Sequence, residues 1–157
     1  ATPEPEMAVI KDTSLTAKLP AALQNGGTLK VAADASYAPD EFLDTDGKTV
    51  IGMDADLAKA IGQVLGLQVT VSNVSFDAII PAIQDGRYDL GMSSFTDTAD
   101  REKSVDFVTY FSAGTSFYVS ATDGPDIETL ADLCGHTVAV EAGTTEESDA
   151  RAQAKKC

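Results

Sequence analysis

Several residue types are scarce in this sequence, and each shortage argues against a class of function. The chain has no tryptophan, one histidine and two cysteines, and its 11 Lys and Arg face 25 Asp and Glu, for a formal net charge of −14. Binding the phosphates of a nucleic acid needs clustered positive charge, so we expect no nucleic-acid partner. The same deficit argues against docking on an anionic membrane through a basic helix.

Long apolar runs are also missing, because no stretch approaches the roughly 20 residues that span a bilayer. A structural zinc site takes about four Cys and His ligands, more than the chain offers, so we expect no metal and no other cofactor. What remains is ordinary for a globular chain: 157 residues, of which 43% are hydrophobic and 23% charged. This length suits one domain or two small ones.

The two cysteines, Cys134 and Cys157, allow two interpretations. They are incidental or buried thiols, or they form one disulfide bond. A disulfide would place the chain in an oxidising compartment. Composition and spacing leave both interpretations open.

The residue pattern predicts strands and helices in alternation, after a leader of disordered residues and a short helix broken at Pro20. Strands are predicted at residues 28–33, 67–74, 88–92 and 136–140. Helices are predicted at residues 54–65, 77–84 and 127–133, and another is predicted to have its cap at Thr96, Asp97 or Thr98. A last helix is predicted to follow the loop at residues 142–145 and to run to Cys157, and residues 105–119 are expected to be largely extended. This alternation is typical of an α/β fold with a parallel sheet and crossover helices.

Ligands of open parallel sheets bind beyond the carboxyl ends of the strands, so the polar loop at residues 93–101 is a candidate site. Arg101 lies where the next helix is predicted to begin. It is either a surface arginine paired with a nearby aspartate, or a guanidinium that binds one anion together with free helix amides.

A second loop, Gly143-Thr144-Thr145, has the same arrangement of strand, loop and helix. Glycine lets backbone amides approach a ligand, and the hydroxyls cap the helix or donate to a ligand. Taken alone, the loop is equally the start of an ordinary capped helix.

Two further observations concern Tyr37 and catalysis. Tyr37, ahead of Ala38-Pro39, is either a packing aromatic or a ligand contact. Nucleophilic catalysis has little support, because there is no GxSxG motif and His136 has no evident Ser or Asp partner by spacing.

Four runs of the sequence resemble the amino-acid-binding extracellular solute-binding proteins of bacterial family 3, the receptor subunits of ABC importers, in their actinobacterial form. The runs are LKVAADASYAPDEF, GKTVIGMDADLAKAIG, FDAIIPAIQDGRYDLGMSSFTDTADREKSVDF and DLCGHTVAVEAGTT, and together they span about residues 28–157. The resemblance implies a periplasmic binding protein type II-like α/β fold with two lobes, mostly parallel sheets and flanking helices. It also implies an extracellular or periplasmic location, with the protein anchored to the outer face of the cell membrane as a lipoprotein.

The resemblance implies that three residues make the main contacts with the ligand. Tyr37 would stack on it from one side, and Met53 stands where the family usually has the opposing phenylalanine; a thioether can still pack there. Arg101 would clamp the α-carboxylate of an amino acid.

Five more positions match ligand contacts of the family. Ser94 and Thr96 would touch the α-amino and carboxylate groups, and Ser93 would lie beside the side-chain pocket. Thr144 and Thr145 would complete the carboxylate site from the second lobe.

Two acidic positions bear on specificity in the same comparison. Asp34 and Glu141 would both face the pocket and favour a cationic side chain such as that of lysine, arginine or ornithine, although an acid at 141 that turns to solvent would be equally ordinary. The resemblance also implies a disulfide bond between Cys134 and Cys157.

The resemblance divides the chain after its leader, residues 1–27. Residues 28–113 would form lobe 1, and residues 114–157 the hinge crossing and the first part of an incomplete lobe 2. We therefore expect a C-terminally truncated chain. The exposed edges and apolar faces of a half-built lobe would favour a swapped or self-associated dimer.

The implied function is that of the substrate-binding component of an ABC transporter. It would capture an amino acid, with a basic one favoured, by hinge closure between the two lobes, and deliver it to a membrane permease without enzymatic activity. Two alternatives stand beside it: an enzyme on the same fold, resembling cyclohexadienyl dehydratase, and the ligand-sensing domain of a receptor.

Overall fold

A computed structural model describes residues 9–157, so the disordered start expected at residues 1–6 lies outside the described residues. The chain divides into two compact units: unit 1 ends at Phe95, and unit 2 runs from Thr96 to Cys157. The lobe boundary expected at residue 113 stays a prediction. Within the described residues, every helix is too short or too polar to cross a membrane.

Unit 1 contains the regular elements that position the candidate site. Its strands are β1 (Thr28–Ala33), β2 (Ser36–Tyr37), β3 (Glu41–Leu43), β4 (Val50–Ile51), β5 (Gln68–Asn73) and β6 (Leu90–Gly91). Its helices are α1 (Thr13–Thr16), α2 (Ala21–Gln24), α3 (Met53–Leu65) and α4 (Phe76–Gln84). The leader helix that the sequence predicted to break at Pro20 is two short helices, α1 before Pro20 and α2 directly after it.

A parallel sheet of order β5-β1-β6 forms the centre of unit 1. Strand β1 pairs with β5 along its whole length and with β6 at Val31 and Ala32. Helices α3 and α4 make the crossovers between these strands, which confirms the predicted α/β arrangement. A smaller antiparallel sheet of order β2-β3-β4 follows β1, so the loop expected around Tyr37 contains a two-residue strand.

The core of unit 1 fixes the ends of β1 and β6 next to each other. Its buried side chains are Leu29, Val31, Ala58, Leu67 and Met92. Helix α3 packs closely on β5 at Gly62, where an added Cβ would collide with the side chain of Val69. The absence of a side chain at Gly62 is what allows this close approach. Burial of this kind stabilises a fold by about 25 cal/mol per Å² of apolar surface.

Unit 2 has less regular structure than the sequence predicted. The helix expected to begin at a cap between Thr96 and Thr98 is one 3₁₀ turn, Arg101–Lys103, and the helix expected at 127–133 is another, Leu130–Leu133. The first turn consists of charged residues, and a helix without an apolar face to bury is marginal. Residues 136–140 form no strand, since none of the residues 96–157 pairs with them as a strand does.

The end of unit 2 is regular and covalently linked. Helix α5 (Thr145–Ala154) begins where the sequence predicted a helix after the Gly143-Thr144 loop. Cys134 and Cys157 form a disulfide bond with a Cα–Cα distance of 5.5 Å. The bond joins the turn that ends at Leu133 to the residues that follow α5.

Candidate functional site

The carboxyl edge of the parallel sheet in unit 1 brings together two of the predicted site residues. Asp34 follows β1, and Ser93 follows β6 after Met92. The backbone N–H of Asp34 donates to Oγ of Ser93 at 2.8 Å, and both residues are buried. The two loops at this edge are therefore joined directly.

The carboxylate of Asp34 has a structural partner. Its Oδ2 accepts the backbone N–H of Phe76, the first residue of α4, at 2.9 Å. Ser75, at the N-cap, makes no side-chain capping bond within the described residues. Asp34, which directly follows β1, therefore caps the N-terminus of α4. Its negative charge is stabilised there by the positive end of the helix dipole. This role applies whether or not Asp34 also meets a ligand.

Three aromatic rings lie in a row beside that helix start. Tyr37 and Phe76 are stacked with centroids 6.0 Å apart, and Phe76 and Phe95 with centroids 4.1 Å apart. Phe76 is buried, whereas Tyr37 and Phe95 are half-buried. The described contact of the Tyr37 ring is thus with another side chain, as in the packing interpretation, and its part in ligand stacking stays a prediction. Sequence reasoning did not single out Phe95.

Met53 opens helix α3 with 41% of its surface exposed. Its backbone N–H donates to the carbonyl oxygen of Pro39 at 3.4 Å, which ties the helix start to the turn after Tyr37. Gly52, just before it, has φ of 118°. A Cβ on Gly52 would collide with the backbone of Pro39 and Asp40, so glycine is required for this close approach.

A buried acid that sequence reasoning missed lies under the same surface. Glu41 is 0% exposed, and its Oε1 accepts a hydrogen bond from Oγ of Ser93 at 2.8 Å. The pKa of Glu41 is raised to about 8, chiefly by burial and further by the nearby carboxyl groups of Asp54 and Asp40. The partner Ser93 is 52 positions away, so no local pattern could have identified Glu41 as buried.

Ser94 continues this turn in an unusual backbone conformation. Its φ is 50°, in the left-handed region that side-chain-bearing residues seldom adopt. Its Oγ donates to Oδ2 of Asp40 at 3.5 Å. Such a conformation costs on the order of 1 kcal/mol and persists only where neighbouring contacts hold it.

In unit 2, Arg101 connects the two loops that the sequence singled out. Its backbone N–H donates to Oγ1 of Thr98 at 3.2 Å. Its guanidinium donates to the carbonyl oxygen of Thr96 at 2.7 Å and to that of Gly143 at 2.9 Å. Three of the residues picked from sequence, Thr96, Arg101 and Gly143, are thus in direct contact.

Thr144 is the N-cap of α5 and is buried. Its Oγ1 accepts the backbone N–H of Glu147 at 3.1 Å and donates to the carbonyl oxygen of Glu141 at 2.8 Å. The Glu147 carboxylate in turn accepts the N–H of Gly143 at 2.7 Å, so the loop forms a reciprocal cap. The structure therefore gives Thr144 the structural role that the sequence had left open.

Thr145 and Glu141 occupy different environments at this helix start. Thr145 is half-buried and donates to the carboxylate of Glu146 at 3.0 Å. The hydroxyl of Thr115 and, to a smaller extent, the positive charge of Arg101 lower the pKa of Glu146. Glu141 is exposed, and it is its backbone oxygen that Thr144 uses.

Each unit presents groups that suit one kind of charge. Unit 1 has hydroxyls and carboxylates beside aromatic rings, which favour a cation. Unit 2 has a guanidinium and a helix N-terminus, which favour an anion such as a carboxylate. Among residues 9–157, no cluster of three or more His, Cys, Asp or Glu is arranged to hold a metal ion.

Known proteins match this chain over most of its length. The profile of the family described as bacterial extracellular solute-binding proteins, family 3, matches residues 29–155. The arginine-binding protein ArgT of Corynebacterium glutamicum is 36% identical over 135 residues, which is 86% of this chain and 44% of that protein. The chain thus spans about half the length of such relatives.

Solved structures give the same result for the fold. An ancestral arginine-binding protein bound to arginine superposes with a TM-score of 0.78 at 40% identity, over 83% of this chain and 57% of that one. An ancestral amino-acid-binding protein described as a precursor of cyclohexadienyl dehydratase superposes with a TM-score of 0.77 at 39% identity, over 86% of this chain and 60% of that one.

Proposed function

The chain belongs to the bacterial extracellular solute-binding proteins of family 3, and from this premise we propose that it is part of the substrate-binding component of an ABC transporter for amino acids. The whole protein would bind its ligand outside the cytoplasm, in the periplasm or at the outer cell surface. It would then deliver the ligand to a membrane permease. A lipid anchor on the outer face of the membrane is part of the same proposal.

The observation that carries the proposal is the setting of Arg101. Its guanidinium donates to the carbonyl of Gly143, immediately ahead of the N-cap of α5. A guanidinium and a helix N-terminus both favour negative charge, and every amino acid carries an α-carboxylate. We assign Arg101, Thr144 and Thr145 to that carboxylate.

The remaining contacts are assigned by matching positions of the family. Ser94 and Thr96 would meet the α-amino and carboxylate groups, and Ser93 would border the side chain of the ligand. Tyr37 and Met53 would pack against its apolar part. Met53 is 41% exposed, so its thioether is accessible for such a contact.

We propose that the ligand is a basic amino acid, with arginine as the first candidate. Asp34 lies at the carboxyl edge of the sheet, Asp40 is half-buried beside Ser94, and Glu141 is exposed before α5. The ion pairs printed for the described residues use Asp56, Asp85, Asp100 and Glu147, so in that set no lysine or arginine neutralises Asp34 or Asp40. The name of the Corynebacterium relative agrees with this choice.

Calorimetric titration of the full-length gene product tests both levels of the proposal. Arginine, lysine, ornithine, glutamine and glutamate are each added at neutral pH. We expect saturable one-to-one binding that is tightest for a basic amino acid. Binding of glutamate without lysine or arginine would refute the basic ligand, and no binding of any amino acid would refute the function.

An enzyme on the same fold is the second candidate, because one structural relative is described as a precursor of cyclohexadienyl dehydratase. Incubation of the full-length protein with cyclohexadienyl acids, followed by chromatography, separates the two. Turnover would favour the enzyme, whereas reversible binding of an amino acid without product favours transport.

Self-association of this 157-residue chain, by swapping or by simple contact, is a further proposal. Unit 2 exposes apolar side chains, among them Leu130, Val138 and Val140, each about two-fifths accessible. Exposed apolar surface of this kind favours association. Light scattering on the purified chain would give twice the monomer mass if the proposal holds, and 16.3 kDa if it does not.

A further inference from the structure

Phe76, the first residue of α4, contacts the segments that carry the predicted ligand contacts of unit 1. Its backbone N–H donates to Oδ2 of Asp34 at 2.9 Å. Its ring stacks with the ring of Tyr37 at a centroid distance of 6.0 Å and with that of Phe95 at 4.1 Å. Phe95 directly follows Ser93-Ser94. One buried residue therefore joins the loops after β1 and β6.

The core of unit 1 fixes the position of Phe76. Helix α4 buries Ile79 and Ala82 together with Phe76. Ile79 packs towards β6, where a Cβ added to Gly91 would lie 2.8 Å from Cγ2 of Ile79. Side chains in a packed core have little room to move, so the ring of Phe76 is a fixed neighbour for the half-buried rings that it contacts.

The short segment between Asp34 and Tyr37 is held against the same region. The N–H of Ala35 donates to Oδ1 of Asn73, at the end of β5, at 2.9 Å. Phe76 then holds the carboxylate of Asp34 through its backbone and the ring of Tyr37 through its own ring. The separation of the negative charge from the aromatic face is therefore set by contacts with one residue, Phe76.

A carboxylate and an aromatic face at a fixed separation distinguish between basic side chains. The carboxylate attracts the positive charge of lysine and that of arginine alike. The guanidinium of arginine is planar, carries its N–H groups within the plane and stacks its faces on aromatic rings. The ammonium of lysine is a compact, strongly hydrated charge with no such face. A ring that is held in place therefore favours arginine, whereas the carboxylate alone does not.

We propose that Phe76 is the positioning residue for the side-chain end of the ligand: it holds the ring of Tyr37 at a fixed separation from the carboxylate of Asp34, and this arrangement makes the site prefer a guanidinium to an ammonium group. The inference rests on the proposed function, because Tyr37 and Asp34 are assigned there to the ligand. Phe76 is 5% exposed and acts through Tyr37 rather than by touching the ligand.

The test compares the full-length wild-type protein with Phe76→Leu by calorimetry. Arginine is titrated into the free protein and into protein saturated with lysine, which gives both affinities. Leucine keeps the N–H that holds Asp34 and a buried apolar side chain, but it removes the ring. We expect the wild type to prefer arginine, and the arginine-to-lysine affinity ratio to fall in the variant by between about 2-fold and 12-fold, the loss of one aromatic stacking contact.

A merely structural role for Phe76 would weaken both ligands equally, so an unchanged ratio in Phe76→Leu would overturn the inference, as would equal affinity of the wild type for arginine and lysine. Ile79→Val is the matched control, because it removes buried apolar volume from the same helix on the side that packs towards β6. Its ratio should equal that of the wild type. Phe76→Tyr keeps a ring and should retain the preference for arginine.

Action through Tyr37 is tested in a Tyr37→Leu background, where adding Phe76→Leu should change the ratio by less than about 2-fold; an undiminished effect there would overturn the inference. NMR of the unliganded wild-type protein decides the matter if the variants do not fold or if no amino acid binds. A Tyr37 ring as rigid as the backbone of β1, with nuclear Overhauser contacts to Phe76, supports the positioning role. A mobile ring or missing contacts overturn it. Failure of the wild type to bind any amino acid refutes the proposed function separately.

Discussion

The guanidinium of Arg101 donates a hydrogen bond to the carbonyl oxygen of Gly143 at 2.9 Å, although 42 positions separate the two residues. A second bond, to the carbonyl oxygen of Thr96 at 2.7 Å, fixes the orientation of the guanidinium plane. Both partners are neutral backbone carbonyl oxygens. An arginine held in this way is preorganised for an anion.

Arg101→Lys should weaken amino-acid binding by tenfold or more while leaving the fold intact. Lysine keeps the charge but cannot donate to two carbonyls and a carboxylate from one rigid plane, and a tenfold loss corresponds to about 1.4 kcal/mol. Calorimetric titration of the full-length protein measures the change. Arg87→Lys, at an exposed arginine in unit 1, is the control and should bind as wild type does. Equal affinity of the two variants would contradict the assignment of Arg101.

Thr144→Ala should destabilise unit 2 by about 1 kcal/mol, the usual cost of losing an N-cap. The substitution removes the acceptor for the N–H of Glu147 and the donor to Glu141 from a buried position. Urea denaturation measures the free energy of unfolding. Thr144→Ser keeps the hydroxyl and should retain most of the stability, so equal loss in both variants would argue against the capping role.

Local patterns predicted the parts of unit 1 that local interactions determine. Strand β1 occupies the predicted residues, and α3 ends where Gly66 adopts the left-handed conformation that a helix C-terminus favours. The buried position of Glu41 depends instead on Ser93, a residue distant in sequence. Alternation of polar and apolar residues does not reveal a contact of that kind.

Unit 2 shows the limit of the same reasoning in another way. The helix expected at Arg101 is one 3₁₀ turn, and the strand expected at residues 136–140 is absent from the described part of unit 2. A β-strand is stabilised by hydrogen bonds and packing with a neighbouring strand, so an alternating residue pattern is not sufficient for a strand to form. The adjacency of Arg101 and Gly143 also required the structure, although both loops had been identified as candidate sites for an anion.

Gly52→Ala should destabilise unit 1 by about 1 to 3 kcal/mol, because it combines backbone strain with a collision. The residue has φ of 118°, and a Cβ there would run into the backbone of Asp40 and Pro39. Gly47→Ala is the matched control: its φ is 67°, and an added Cβ would meet no heavy atom of the described chain within 4 Å. Equal losses in the two variants would show that the collision contributes nothing.

Removal of the Cys134–Cys157 disulfide should lower the stability of unit 2 by about 2 to 4 kcal/mol. The bond restrains the unfolded chain over a sequence separation of 23 residues. Urea denaturation with and without reductant measures the effect, and the double variant Cys134→Ala/Cys157→Ala should be insensitive to reductant. Two reactive thiols in protein purified without reductant from the exported fraction would contradict the bond.

The stability of unit 1 should fall as the pH rises through the range in which only the unfolded chain loses the proton of Glu41. Burial raises the pKa of Glu41 from 4.5 to about 8 in the folded protein. Its contribution to stability is therefore complete below about pH 4.5, declines above it, and is lost by about pH 8. The slope is at most about 1.4 kcal/mol per pH unit for one proton.

Glu41→Gln should remove this slope, because an amide has no proton to lose in either state. The quantity to compare is the difference in unfolding free energy between wild type and variant at each pH, since other ionisable groups cancel in it. That difference should shift in favour of the variant from pH 5 to pH 8, while Asp85→Asn, at an exposed acid, should give a nearly constant difference. A Glu41→Gln difference that does not change with pH would mean that Glu41 is ionised in the folded protein throughout this range.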